Sequence, residues 1–248
     1  MMELPGTPSD ELEGVLAAGR GEIGTLFVSM ARRHPEGTDA EYLRWHTLDH
    51  RPEQHRLAAV RASLRLVSTP ACRAARAATD DRFDEIDHVM TYFFTDESGL
   101  KDFNELSTAL GDGGRKLALL PPVQRGVYSV QDKVAAPRVK VGADVLPWWP
   151  VRGVYLLLEA GTAAAPELSR VEGVAGVWSA SSQSVHTSLA SAPAGQTISY
   201  FFLDDDPVVT AQRIRPALEK RWSVGGAEPL LAAPFYPIVA HEWDRYLP

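Results

Sequence analysis

The sequence has little cysteine, no surplus of positive charge and no long hydrophobic run, and each absence argues against a class of protein. One cysteine, Cys72, leaves no intrachain disulfide and suits a reducing compartment. The formal net charge of −7 argues against nucleic acid, which proteins bind mainly through lysine and arginine. No apolar run approaches the ~20 residues that span a bilayer, and the acidic start lacks the features of a signal peptide. We therefore expect a cytoplasmic protein without nucleic-acid or membrane partners.

Two motifs of common enzyme classes are also missing. The sequence contains no Gly-Lys-Ser/Thr phosphate loop and no Gly-x-Ser-x-Gly elbow, which argues against P-loop nucleotide chemistry and serine-hydrolase chemistry. What the chain does have is an ordinary globular composition, with 45% apolar and 23% charged residues in 248. That length is enough for one large domain or two small ones.

The first half of the chain shows one strand and helix pattern. Alternating apolar residues indicate strands, helical spacing of apolar residues indicates helices, and Thr38 with Glu41 has the spacing of a capping box. Pro52 disfavours helical geometry at Arg51, so we expect the first helix to end or kink there. The strands are predicted at Thr25–Ala31, Ala62–Val67, Ile86–Phe94 and Gly126–Val130, and the helices at Tyr42–His50 and Leu100–Leu110.

The second half repeats this order. Its strands are predicted at Val154–Glu159, Val177–Ser181, Thr197–Leu203 and Tyr236–Glu242, and its helices at Pro166–Val171 and Pro207–Trp222. Tyr92–Asp96 and Tyr200–Asp204 share the pattern Tyr-Phe-Phe-x-Asp, and each ends a predicted third strand. The repeated order predicts a tandem duplication. We divide the chain into an N-terminal helical extension (1–23), a first unit (24–133), a linker (134–151) and a second unit (152–248).

A βαββαβ order is that of the ferredoxin-like unit, an α+β fold with helices on one face of the sheet. The other sheet face must be buried, and two units in one chain can press those faces together. We therefore expect one pseudo-dimeric α+β barrel with a central cavity, which is a usual type of small-ligand site. Because the second unit supplies the partner that a single unit would obtain by dimerising, the chain itself can be a monomer or a homodimer.

The helix at Tyr42–Pro52, with sequence Tyr-Leu-Arg-Trp-His-Thr-Leu-Asp-His-Arg-Pro, resembles the signature helix of the EthD-like family. That family belongs to the dimeric α+β barrel superfamily. The resemblance covers roughly Thr25 to Val130, whereas the second half shares only the fold pattern and lacks the Trp-His and Asp-His residues. It implies a tandem barrel. It does not specify a reaction, since the superfamily includes cofactor-free cyclases, decarboxylases, monooxygenases and isomerases.

Two histidines on this helix are the strongest candidates for chemistry. His46 and His50 are four residues apart and share a helix face, and Asp49 lies three residues after His46. Histidine suits proton transfer near neutral pH, and a carboxylate beside it can fix its tautomer. We expect His50 to act as general acid or base, with His46 and Asp49 in support.

Four other residues complete the predicted site. Arg65, if it faces the cavity, would hold an anionic oxygen, and Trp45, His88 and Tyr92 are candidates for contacts with the substrate. The sequence does not say to which sheet face Arg65, His88 and Tyr92 point. For Trp45 the alternative is a packing role in the core, since its neighbours Tyr42 and Asp49 frame a packing stripe.

Metal and haem sites are alternatives that the sequence leaves open. His46 and His50 have a chelating spacing, but Thr47 stands where zinc proteases have glutamate, and a third ligand would have to come from Asp49, His55, His88 or His241. Haem needs one axial histidine, for which His186 or His241 could serve. We expect neither group and predict no cofactor.

The sequence thus predicts a cofactor-independent enzyme that acts by proton transfer on a small, partly apolar carbonyl compound, aromatic or polyketide-like. Such a protein would be a cyclase, decarboxylase or isomerase. The alternative hypothesis is a non-catalytic ligand-binding or accessory protein whose second unit only completes the barrel.

Overall fold

The structure is a computed structural model that describes residues 22–117, 119–161, 165–184, 191–225 and 227–248. Within these ranges, no helix has the length and apolar character needed to cross a membrane. The predicted N-terminal helical extension falls almost entirely on residues 1–21, which lie outside the described residues.

Nine strands and five α-helices follow one another along the described ranges. The strands are β1 Thr25–Ala31, β2 Val60–Val67, β3 Ala78–Thr79, β4 His88–Phe94, β5 Pro122–Ala135, β6 Gly153–Ala160, β7 Val174–Ser182, β8 Gln196–Leu203 and β9 Glu228–Pro237. The helices are α1 Asp39–Trp45, α2 Arg51–Gln54, α3 Pro70–Ala74, α4 Gly99–Asp112 and α5 Pro207–Ser223. A π-helical turn, His46–His50, joins α1 to α2, and short 3-10 helices lie at Pro137–Val139, Ala143–Trp148 and Pro166–Arg170.

The strands form a closed antiparallel barrel. Eight of them follow the order β2-β4-β1-β5-β7-β8-β6-β9, and β9 pairs with β2 at Leu66↔Pro237 and Val67↔Tyr236 to complete the circle. The short strand β3 extends the other part of β9. Closure leaves less exposed strand edge on which other chains could assemble, although only two residue pairs join β9 to β2. The predicted fold class, two ferredoxin-like units in one α+β barrel, is confirmed.

Each half of the barrel has the same internal strand order. The first half reads β5-β1-β4-β2 and the second β9-β6-β8-β7, so the fourth, first, third and second strands of each unit are neighbours in that order. The two units join where the fourth strand of one pairs with the second strand of the other, as β5 with β7 and β9 with β2. Each unit therefore covers both open edges of its partner.

The Tyr-Phe-Phe repeat, in contrast, does not mark equivalent positions. The first residue of β1 pairs with Phe94, and the first residue of β6 pairs with Leu203. Equivalent positions are thus 109 residues apart, whereas the sequence match has an offset of 108. A slip of one residue reverses the sheet face, so Tyr92 points towards the helices and Tyr200 into the barrel. The matched peptide is a coincidence of composition, and only the element order relates the units.

Aromatic side chains fill the middle of the barrel, where the sequence predicts a cavity. The ring of Phe93 lies 6.0 Å from that of Trp178 and 6.2 Å from that of Tyr200, centroid to centroid. The hydroxyls of Thr91 and Tyr200 are 2.6 Å apart and both buried. Since Thr91 and Tyr200 are equivalent positions on β4 and β8, this hydrogen bond joins the two units inside their common core.

The closing strand was predicted wrongly. It is β9, Glu228–Pro237, whereas the expected strand Tyr236–Glu242 shares only its first two residues with it. Pro229 and Pro234 argue against a strand in the sequence, because proline cannot donate to a sheet ladder. Pro234 is accommodated because it lies between the short pairings of β9 with β3 and with β2.

Helix ends also differ from the predicted ones. Thr38 precedes α1 but makes no capping hydrogen bond; its hydroxyl lies 2.9 Å from Nδ1 of His34 instead. Helix α4 runs through Gly111 and ends before Gly113. The predicted linker begins with the last two residues of β5, and Trp149 within it packs against the barrel core.

The buried Thr91–Tyr200 hydrogen bond provides a test of the shared core. Thr91→Val should lower the free energy of unfolding by about 1–3 kcal/mol, because the Tyr200 hydroxyl is then buried without a partner. The double variant Thr91→Val/Tyr200→Phe should recover part of this loss, since it removes both polar groups. Denaturant unfolding of the two variants and of Tyr200→Phe would measure the coupling. Strictly additive losses would contradict a direct bond between the units.

Candidate functional site

The histidine helix contains a π-turn at the position where proline disturbs it. The amide of Arg51 donates to the carbonyl of His46, five residues back, and the helix then continues through Pro52 to Gln54. Proline lacks an amide proton and its ring crowds the carbonyl four residues earlier, so a wider turn relieves the clash. The irregularity expected at Arg51 is therefore present, but the helix does not end there. Such π-turns are frequent at functional sites.

A pocket lies between this helix and the outer face of the first unit's sheet, on the side of the sheet away from the barrel centre. Its volume is about 130 Å³. Phe27, Met90, Phe103 and Leu119 are its apolar wall. The aromatic and charged groups that line it include Tyr42, Trp45, His46, His50, Arg65 and Tyr92. Five of the seven residues proposed for the site from the sequence thus lie together here.

His46 is held against the sheet, with 4% of its surface exposed. Its Nε2 lies 3.4 Å from the hydroxyl of Tyr92, and its ring stacks on Tyr42. Burial lowers the pKa of His46 well below its usual value, and the nearby charge of Arg65 adds to the effect. Burial also raises the pKa of Tyr92. At neutral pH, His46 is therefore a neutral imidazole beside a protonated phenol.

His50 lies next to His46, with ring centroids 5.5 Å apart. Its ring stacks on Trp45 at 5.3 Å, and the amide nitrogen of Gln54 lies 3.4 Å from its Nε2. The same amide donates to the hydroxyl of Ser107 on α4. Burial lowers the pKa of His50 to about 4, with Lys116 contributing. His50 is thus neutral above pH ~5, like His46, and is the more exposed of the two histidines.

Arg65, which was proposed for the site from the sequence, is a buried cation in the pocket lining. Only 5% of its surface is exposed, yet neither Nε nor Nη2 has a hydrogen-bond partner among the described residues. Its guanidinium lies 5.0 Å from the ring centroid of Tyr42. A buried cation is costly unless it is paired. Among the described residues, no carboxylate pairs with Arg65 to offset the free-energy cost of its burial.

Asp49 has a different partner from the one predicted. Its Oδ2 accepts from Nη2 of Arg115 at 3.1 Å, whereas Nδ1 of His46 has no partner among the described residues. The predicted Asp49–His46 hydrogen bond is wrong, because the carboxylate points to the loop after α4. Arg115 also contacts Glu53 at 3.2 Å, and its carbonyl accepts from the indole of Trp45. Asp49 therefore fastens this loop to the histidine helix.

His88 lies on the same sheet face but outside the pocket lining. Its Nε2 is 2.7 Å from Oδ1 of Asp39, and both residues are buried. That oxygen also accepts from the backbone amide of His34. The contact between His88 and Asp39 links the start of α1 to β4. His88 therefore helps to position the helix and does not line the pocket.

Sequence reasoning missed Tyr42, Ser107, Lys116 and Arg125 among the lining residues. Tyr42 belongs to the motif that was noticed, and its spacing from His46 was the available signal. Lys116 follows α4 and Arg125 lies on β5, so only the tertiary structure brings them to the helix.

The second unit has other residues at the equivalent positions. Pairing places Arg65 opposite Met90 in the first unit and Ser179 opposite Ser199 in the second, which makes Ser179 the counterpart of Arg65. Phe201 is in the same way the counterpart of Tyr92. The helix with the two histidines corresponds to the five-residue 3-10 helix Pro166–Arg170. The constellation therefore belongs to the first unit.

The metal alternatives receive no support from the described part of the chain, where no three His, Cys, Asp or Glu side chains lie close enough to share a metal ion. His55 lies 2.7 Å from the hydroxyl of Ser63. His241 packs against Trp243 near the chain end. His186, the other candidate for a haem ligand, lies outside the described residues.

Comparison with known proteins identifies the fold and no further property. No family model matches the sequence, and no curated protein matches it. A chlorite dismutase-like protein of known structure aligns with a TM-score of 0.52 and 10% identity over 90% of this chain and 97% of its own. The chain has the dimeric α+β barrel fold.

Two other structures align less closely. An anthrone oxidase-like protein has a TM-score of 0.46 and 12% identity over 90% of this chain and 94% of its own. A monooxygenase-like protein from Lactobacillus acidophilus has a TM-score of 0.40 and 10% identity over 88% and 94%. At these values neither informs the chemistry of the barrel described here.

Replacing the unpaired arginine should stabilise the barrel. Arg65→Met removes a buried cation and keeps most of the side-chain volume, so the free energy of unfolding should rise by about 1–3 kcal/mol. Arg76 is the matched control, since it is also buried but donates to Asp84 and to the carbonyl of Ile86. Arg76→Met should be destabilising. Chemical denaturation of both variants measures the contrast, and a large loss in Arg65→Met would show that the arginine is structural.

The neutral histidines make stability depend on pH. In the unfolded chain histidine has a pKa of ~6.5, whereas burial lowers that of His50 to about 4. Between these values the unfolded state binds a proton that the folded state does not. Stability contributed by His50 is therefore complete above pH ~6.5 and declines by up to about 1.4 kcal/mol per pH unit below it.

Denaturant unfolding at several pH values would measure this dependence. His50→Gln should show a shallower fall in stability than the unsubstituted chain as the pH is lowered from 6.5 to 4.5. The other buried histidines remain in both proteins, and the charge of His50 contributes to the low pKa of His46. The difference therefore reports His50 together with its coupling to His46. Parallel curves would mean that His50 is protonated as readily in the fold as in the unfolded chain.

Proposed function

We propose that the chain is a cofactor-independent enzyme that transfers protons on a small, partly apolar carbonyl compound bound in this pocket. The observation that carries the proposal is the buried guanidinium of Arg65, which lacks a polar partner among the described residues and lines a cavity with two neutral histidines. Proteins retain such a costly group where it stabilises charge that arises on a ligand.

The geometry supports separate roles for the two histidines. His50, the less buried of the two and stacked against Trp45 at the pocket, is the proton acceptor. His46 remains neutral and can donate a hydrogen bond to the substrate oxygen, together with the Tyr92 hydroxyl and Arg65. A neutral imidazole in that role is an established way to polarise a carbonyl. Trp45, stacked on His50, orients the base.

The reaction class that follows is proton abstraction next to a carbonyl group. Enolisation, aldol-type ring closure and decarboxylation all pass through an enolate, whose negative oxygen would lie at Arg65. The pocket is open on one side, and its volume of about 130 Å³ is of the same order as the ~150 Å³ cavity that holds benzene in an engineered protein. A substrate of one ring fits this space, whereas a larger polyketide-like compound would extend through the mouth.

We further propose that the two units arose by tandem duplication and that the first belongs with the EthD-like proteins. The common strand order of the units supports the duplication. The position of the Tyr42–Pro52 motif at the pocket supports the family. In this view the second unit closes the barrel and hosts no copy of the site.

The alternative is a binding protein without catalysis. It is favoured by the low pKa of His50, because a base of pKa about 4 is weak for carbon acids. The same pocket would then hold a ligand and release it unchanged.

Hydrogen exchange separates the two hypotheses. Single-ring ketones and β-keto acids would be incubated with the protein in deuterium oxide, and deuterium uptake next to the carbonyl would be followed by NMR. His50→Gln should slow uptake by about 10²–10⁴-fold, the usual contribution of a general base. His55→Gln is the matched control, because His55 follows the same helix but lies outside the pocket lining.

Equal rates for His50→Gln and the unsubstituted protein would refute the catalytic role of His50. Binding of these compounds without any accelerated exchange would favour the non-catalytic alternative.

A further inference from the structure

The charged side chains that line the pocket are all positive. Among its lining residues are three cations, Arg65, Lys116 and Arg125, and no carboxylate. None of the three forms an ion pair within the described ranges of the chain. This contrasts with the protein as a whole, which has a net charge of −7. The excess of positive charge is therefore local to the pocket.

The three cations differ in depth. Arg65 is buried at the base of the pocket, Arg125 is half-buried and Lys116 is exposed. Cations that line a cleft with apolar walls concentrate the electric field there and attract ligands of opposite charge. The gradient from Lys116 inwards leads towards the unpaired Nε and Nη2 of Arg65. These two nitrogens are buried and lie on one edge of the guanidinium, an edge whose shape matches the two oxygens of a planar anion.

The aromatic residues of the pocket lining restrict the shape of the ligand. Tyr42, Trp45 and Phe103 contribute ring faces and edges, and the space of about 130 Å³ suits one ring. A neutral carbonyl oxygen could accept a hydrogen bond from Arg65, but it would leave the buried positive charge without a counter-charge. An anion supplies both the acceptor and the charge.

We propose that the ligand enters this pocket already as an anion: a planar group of about one aromatic ring that carries a carboxylate, phenolate or enolate oxygen, which pairs with Arg65. This inference deepens the proposed function, on which its catalytic meaning rests, by naming the substrate class. It also gives the histidines a use at neutral pH. Since the charge of Arg65 contributes to the low pKa of His46, a bound anion offsets that influence and makes the imidazole easier to protonate.

Three probes of one shape isolate the charge of the ligand. Benzoate, benzamide and benzamidine share a ring and a planar substituent and differ in carrying a negative, neutral or positive charge. Calorimetric titration of the full chain should detect benzoate binding and little or no binding of the other two. Arg65→Met should weaken benzoate binding by at least about thirtyfold, as expected for loss of one partner of a buried charge pair.

Arg61→Met is the matched control, because Arg61 lies on the same strand but is exposed outside the pocket lining. It should leave benzoate affinity unchanged, and Arg65→Lys should retain part of it. A second readout uses 4-nitrophenol, whose phenolate is coloured. The bound phenol should lose its proton at lower pH than the free phenol in the unsubstituted chain, and this shift should vanish in Arg65→Met.

Benzamide binding as tight as that of benzoate, or unchanged benzoate affinity in Arg65→Met, would overturn the inference. Neither outcome depends on catalysis, because benzoate has no exchangeable hydrogen next to its carboxylate. If His50→Gln exchanges deuterium at the normal rate while benzoate binding still requires Arg65, the proposed reaction fails and the anion site stands. If His50→Gln slows deuterium exchange but benzoate binding does not require Arg65, the proposed reaction stands and the proposed anion site is refuted.

Discussion

The structure depends on the mutual burial of two sheet faces. A ferredoxin-like sheet carries helices on one face, and its other face would be exposed apolar surface if it stood alone. Here the two faces pack against each other through Phe93, Trp178 and Tyr200, and the Thr91–Tyr200 hydrogen bond satisfies the polar groups at the contact. Pairing of β5 with β7 along seven residue pairs and of β9 with β2 along two then joins the units at both junctions.

Because packing uses the inner faces, the site lies on an outer face. The space forms where the histidine helix stands away from the first sheet, and the π-turn before Pro52 shapes that helix. The loop after α4 is tied to the helix through Arg115, Asp49 and Glu53. Burial then keeps His46 and His50 neutral, and it makes the unpaired charge of Arg65 expensive. The same desolvation that shapes the chemistry thus lowers the stability of the empty pocket, a common conflict between stability and function.

The second unit shows how little of a fold's chemistry follows from its architecture. Its strands repeat those of the first unit, yet Ser179 and Phe201 stand where the first unit has Arg65 and Tyr92. Helix α5 covers this sheet with an apolar face that contains Ala211, Ile214 and Leu218. One unit therefore has the polar constellation, and the other unit contributes packing.

The sequence predicts the element order, most strand positions and the helix that carries the histidines. These features follow from local periodicity, which reflects the two-residue repeat of a strand and the 3.6-residue repeat of a helix. It also identified five residues of the pocket, because they lie on elements with clear patterns.

The strand register and the location of the candidate site, in contrast, depend on tertiary contacts. Tyr92 and Tyr200 look equivalent in sequence, but a one-residue shift turns them to opposite faces, and strand pairing alone sets that shift. The partner of Asp49 and the contributions of Lys116 and Arg125 depend on contacts between distant segments. Periodicity describes which face of an element is apolar. It does not specify against which other element that face will pack. The lack of a counter-charge at Arg65 results from this packing of distant elements.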